Sequence, residues 1–119
     1  MRVYRESASP WRCGHWNGSP IEIALKTDAM MCVPAGEAYH YHEFHEYYVV
    51  LHGHATLSVE GTDVPLEAGI VVMVQPGERH RVTWIDPDTG ARWIVIKERS
   101  VPDGKIVVPE PDDGSQPDA

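Results

Sequence analysis

Seven histidines stand in this 119-residue chain, and four of them fall within "HYHEFHEYYVVLHG", His40 to Gly53. His54 follows at once. Imidazole is the commonest metal ligand and the side chain that titrates nearest neutral pH. Such crowding points to ion binding or proton transfer. His40 and His42 stand at i and i+2. On a strand they project from one face, about 6.6 Å apart along the chain, and can converge on one ion. Glu46 follows shortly after and can bring a carboxylate back to that ion by antiparallel pairing across a short turn. His80 opens a strand after the turn "QPGER" and is the candidate fourth donor. Three imidazoles and one carboxylate suit one divalent transition ion (Fe, Mn, Ni, Cu, Co or Zn) and leave positions free for water or substrate. A closed structural zinc site would more often use thiolates, and Cys13 and Cys32 lack metal-type spacing. The helical HExxH alternative fails, because "HEFHE" has Glu46 where the second histidine is required and runs into the strand-forming "YYVV".

The elements that must position these residues read as strands. "PIEIALK" alternates apolar and polar residues, and "AMMCVPAG" is a short apolar run ended by a turn. "EYYVVLHG" and "HATLSVEG" are two strands either side of Gly53. "TDVPLEAG" is an edge piece with a proline inside it. "IVVMVQPG" has the pattern of a buried strand; "RHRVTWID" and "ARWIVIKE" are two more, joined by the turn "PDTG". Turn signals recur every 8–12 residues and no long window has a helical period, which predicts an all-β sandwich or barrel. The chain divides into an N-terminal arm (1–19), a barrel (20–100) and a C-terminal strand with a mobile acidic tail (101–119). Within the arm, "SPWRCGHWNGSP" is a loop in which Trp11 and Trp16 anchor to the body. "KIVV" is a last strand, paired on the body's own edge or on a partner subunit.

Composition narrows the partners. A formal net charge of −8 argues against nucleic acid and anionic membrane, which repel an acidic surface. No apolar leader and no membrane-length run is present, so a reduced, cytoplasmic protein with two free thiols is expected.

The motifs resemble those of a known family. His40-x-His42-x3-Glu46-x6-Gly53 looks like the core of the first cupin motif, G-x5-H-x-H-x3,4-E-x6-G, and "GIVVMVQPGERH", Gly69 to His80, looks like the second, G-x5-P-x-G-x2-H-x3-N. Fifteen residues separate Gly53 from Gly69, a spacing similar to that of small microbial cupins. The chain departs from the pattern where only three residues lie between Gly36 and His40, where Pro76 and Gly77 are adjacent, and where Trp84 occupies the asparagine position. The resemblance covers about residues 20–100. It implies a single-domain antiparallel β-barrel or jelly roll with the ion in its mouth. It also implies His40, His42, Glu46 and His80 as ligands, and a homodimer.

Parity adds further candidates. Glu46, Tyr48, Val50 and His52 would share a face, which makes Tyr48, and after it His52, a candidate to move protons. Val82 and Trp84 would share the face of His80, placing Trp84 as an apolar wall over a bound substrate. His45 and His54 are expected at the surface, Arg92 outward, and Tyr39, Tyr41 and Tyr47 away from the ion. The resemblance implies a metal-dependent enzyme for a small oxygenated molecule, dioxygenating an enolic or diketone-like compound. Isomerase, decarboxylase or lyase chemistry on a small acid or sugar would use the same site, and a non-enzymatic ligand-binding module is the rival from another class.

Overall fold

The computed structural model describes residues 1–26 and 37–109. Its strands are β1 (Trp11–Cys13), β2 (Glu22–Lys26), β3 (His40–Tyr41), β4 (Glu46–Val59), β5 (Thr62–Glu67), β6 (Val71–Val74), β7 (His80–Ile85), β8 (Ala91–Lys97) and β9 (Ile106–Val107). One turn of 3-10 helix, His15–Asn17, is the sole helical element among the described residues. All pairings are antiparallel, and the strands run β1-β2-β8-β4-β7-β3-β9, with β5 and β6 also on β4. The result is the expected all-β architecture: a curled antiparallel sheet wrapped around one core.

β4 organises that curl. Its first half pairs with β8 and β6, its second half with β5 and β7. The sequence suggested two strands here, because glycine usually punctuates. Instead one 14-residue strand runs through Gly53. Gly53 has φ 79°, and a Cβ added there would lie 1.9 Å from the Gly90 carbonyl oxygen. That carbonyl also accepts the His54 N–H at 2.9 Å. The glycine is needed for a left-handed backbone and a close strand crossing, not for a turn. A register shift between Val50 and His52 accompanies it. Such a bulge bends the strand and re-aims the side chains beyond it.

The interior is filled by alternate residues. Ala24, Tyr48, Val50, Ala55, Leu57, Leu66, Val74, Val82, Ala91, Trp93 and Val95 form one buried cluster. Burying a side chain such as Leu57 or Leu66 contributes roughly 2 kcal/mol. Pro65 is tolerated in β5 because that strand pairs on one side only.

Other expectations need adjustment. The "SPWRC" stretch is not all loop, since β1 pairs with β2. Trp11 packs against the core as expected, but Trp16 is half exposed. "IVVMV" is buried on one face only, with Val71 and Met73 outside. "KIVV" does pair, and on its own chain, through β9 and β3. Cys13 is a buried free thiol. "AMMCVPAG", Cys32 and the chain after Pro109 lie outside the described residues.

Candidate metal centre

His40 lies in β3 directly opposite His80, the first residue of β7. β7 in turn pairs with β4, so β7 separates β3 from β4. Glu46 therefore does not return by a hairpin from His42, as the spacing suggested. It arrives as the first residue of β4, after the chain has passed over the end of the sheet. The "QPG" turn is tied to the same place, because the Gly77 N–H donates to the His42 carbonyl at 2.8 Å.

The four predicted ligands come together. One ligand atom from each of His40, His42, Glu46 and His80 lies within 4.8 Å of all the others, and all four residues are buried. Ligand atoms about 2.0–2.2 Å from a common ion lie no more than about 4.4 Å apart. The largest separation in the cluster thus exceeds that limit by no more than a few tenths of an ångström.

The backbone decides which ring nitrogens face inward. The Nδ1–H groups of His40, His42 and His80 donate to the carbonyls of Ala38 (2.7 Å), Gly104 (2.6 Å) and Glu78 (2.9 Å). A neutral imidazole with hydrogen on Nδ1 carries a lone pair on Nε2. His80 Nε2 stands 2.8 Å and His42 Nε2 3.2 Å from the same Glu46 Oε1. Lone pairs aimed at a carboxylate oxygen repel unless a proton or a cation lies between them. His42 Nε2 is buried and has no partner of hydrogen-bond geometry. The donor set, its fixed tautomers and this orphaned nitrogen together fit a divalent transition ion.

Electrostatics agree with that reading. Burial, and after it the neighbouring His80, lowers the His40 pKa to about 3, so this ring is neutral at ordinary pH. Burial alone would raise the Glu46 carboxyl, but His42 and His80 beside it hold it well below the usual carboxylate range. Burial pulls His80 down, yet its hydrogen bond with Glu46 outweighs this and the ring is raised. Burial keeps the Tyr48 phenol protonated far above its ordinary range.

Tyr48 is buried on the Glu46 face, edge-on to His80 with ring centroids 6.3 Å apart. His52 is not: beside the bulge it is exposed to solvent. Trp84 is also displaced. The β4–β7 register skips Thr83, so Leu57 faces Val82 while Thr56 faces Trp84. Trp84 is 47% exposed and forms no wall over the ion. Both errors came from carrying strand parity through a bulge. Parity holds where the strands are regular, as in β8, where Trp93 and Val95 face in and Arg92 out.

His45 bonds Glu98 through its Nδ1 at 2.8 Å, and His54 is exposed beside Thr89. Tyr41 and Tyr47 are partly covered, while Tyr39 is buried.

The sequence reading missed three contributors. Gly104, in the C-terminal stretch, supplies the carbonyl that fixes His42. Glu37 caps the Val82 N–H at 2.9 Å and acts electrostatically on Tyr48 and His80. Lys26 occupies the inner face of β2 and lies within electrostatic reach of Glu46. The alternation of "PIEIALK" carried the signal for Lys26, since it places Glu22, Ala24 and Lys26 on one face.

Comparison with known proteins fits this geometry. The family described as "Cupin domain" matches residues 29–97, more than half of the chain, and the chain belongs to it. Solved structures agree in fold. A cupin protein from Bacteroides fragilis is 16% identical, with TM-score 0.60, covering 92% of this chain and 100% of that one. An RmlC-like cupin family protein with a double-stranded β-helix fold, from Methanocaldococcus jannaschii, is 14% identical, with TM-score 0.61, covering 83% and 91%. A DMSP lyase from Ruegeria pomeroyi is 19% identical, with TM-score 0.57, covering 74% of this chain and 42% of that one. No curated protein matches the sequence. No helix among the described residues is long and apolar enough to cross a membrane.

Proposed function

We propose that this cupin is a metal-dependent enzyme that dioxygenates a small oxygenated organic molecule of enolic or diketone type. The observation that carries the metal reading is the convergence of imidazole nitrogens on one buried carboxylate oxygen, with each Nδ1 already spent on a backbone carbonyl. His40, His42, Glu46 and His80 would hold one divalent transition ion. A bound ion of this kind supplies Lewis acidity or activates O₂.

The chain's own residues do the rest. The four ligand residues are themselves buried, and the apolar cluster around Leu57, Val82 and Trp93 would limit the access of bulk water to them. In this reading Tyr48, which burial keeps protonated, would donate a proton to substrate. His80 and Trp93 flank its ring.

The protein acts as a homodimer in this proposal. On the outer face of the sheet two apolar rows cross four strands: Ile23, Ile96, Tyr47 and Met73, then Leu25, Ile94, Val49 and Val71. Leu25, Val71 and Met73 are 39%, 61% and 44% exposed. An apolar patch of this extent, on the order of several hundred Å², is typical of an interface. The eight residues of these rows carry no charge, which suits a second copy related by a two-fold axis.

The reaction is tested with Fe(II)-loaded protein and acetylacetone in an oxygen electrode. Metal-dependent O₂ consumption is expected. Conversion of a substrate without O₂ would instead favour isomerase, decarboxylase or lyase chemistry. Binding of small acids with no conversion would favour a binding module.

A further inference from the structure

Two lysines share the inner surface of the barrel, and their surroundings differ. Lys97 is closed off: its Nζ lies 3.4 Å from Glu22 Oε1 and 4.5 Å from the centre of the Trp11 ring. Glu22 is held further by the Ser100 hydroxyl, which donates to Oε2 at 2.8 Å. Lys26 also lies over Trp11, with Nζ 5.5 Å from the ring centre. Among the described residues, however, no carboxylate stands within ion-pair range of it.

Lys26 is related to the metal centre through a short series of neighbouring residues on the inner face. It pairs in register with Trp93. The Trp93 ring is 6.2 Å from Tyr48, and Tyr48 is 6.3 Å from His80. The two carboxylates that act on the Lys26 ammonium at longer range are Glu37 and Glu46. Both are already engaged, Glu37 with the Val82 N–H and Glu46 with His42 and His80.

Charge accounting then points to the missing group. Three neutral imidazoles, one carboxylate and a divalent ion leave a net positive centre. Lys26 adds a second positive charge, Lys105 acts on it as a further cation, Lys97 is balanced by Glu22, and Glu37 offsets one. A half-buried ammonium without a close counter-ion is costly, and burial indeed lowers its pKa. An anion arriving with the substrate would offset that cost.

We infer that Lys26 forms an anion subsite, so that the substrate is a small organic acid with one oxygen on the ion and its carboxylate on the Lys26 ammonium. This rests on the metal-centre reading and names the class of molecule the centre takes.

The test uses Co(II)-loaded full-length protein, whose visible spectrum reports ligands entering the metal's open positions. Pyruvate is the anionic probe and imidazole the neutral one. Lys26→Met should weaken pyruvate binding about 10- to 100-fold, the loss expected for a hydrogen bond to a charged group. Imidazole binding should not change, which also shows that the variant is folded and loaded. Lys26→Arg should retain most of the pyruvate affinity. Pyruvate that binds Lys26→Met as tightly as the parent, or parent protein that binds imidazole but not pyruvate, overturns the subsite and leaves the metal centre standing. Parent protein that takes up no Co(II) overturns both.

Discussion

His40 and His80 face each other across β3 and β7, with ring centroids 4.4 Å apart. Thirty-nine residues of chain lie between them, yet one cross-strand pair sets the distance between two metal ligands. Three of the four ligands, His40, Glu46 and His80, stand on strands, while His42 follows β3 directly; placement on the sheet favours precise ligand geometry.

The same burial makes apo-protein stability depend on pH. The His40 pKa falls from 6.5 to about 3 on folding. Between these values the unfolded chain binds the proton and the folded chain does not. Stability is therefore present above pH 6.5 and lost as pH falls toward 3, with a slope on the order of 1 kcal/mol per pH unit. Thermal melts of metal-free protein at pH 7 and pH 5 should show the loss, and His40→Asn should flatten it. His80, raised by Glu46, acts in the opposite sense, so the readout is the difference between the two proteins, and an identical pH dependence in parent and His40→Asn would contradict the assignment.

Gly53→Ala should destabilise the barrel strongly, by on the order of 2 kcal/mol or more. The new methyl would collide with the Gly90 carbonyl and sit at a backbone angle that side chains avoid. Gly61 also has positive φ, but open space surrounds it. Gly61→Ala should cost less in the same unfolding experiment.

Tyr48→Phe keeps the ring and removes the phenol. Metal content should stay at the parent level while turnover falls by about 10²- to 10⁴-fold, the range for a lost proton donor. Unchanged turnover would reduce Tyr48 to a packing role.

Val49→Lys places a charge in the middle of the outer apolar rows without touching the core. Light scattering should give a dimer for the parent and a monomer for the variant. A monomeric parent would contradict the proposed interface.

Much of this was legible in the residues. Alternation located β2, short runs bounded by turn residues located β5, β7 and β8, and the i, i+2 pair with Glu46 and His80 supplied the ligand cluster. The failures lie where alternation stops being a guide. Two bulges in the pairing of β4 moved His52 and Trp84 outward, and neither has a marker that distinguishes a bulge from a turn. Gly53 was noticed, but glycine serves either purpose. Gly104 and Glu37 could not have been found from spacing, since their roles depend on long-range contacts with His42 and Val82.

The most direct measurement is the metal content of untagged protein purified without chelator, taken by elemental mass spectrometry beside His42→Ala. His42 owns the orphaned nitrogen of the cluster. The account predicts about one transition ion per chain in the parent. The variant should lose most of that ion while its far-ultraviolet circular dichroism stays that of a folded β-barrel. Equal metal in both proteins, or a parent that holds none and takes up none on titration, would contradict the metal centre.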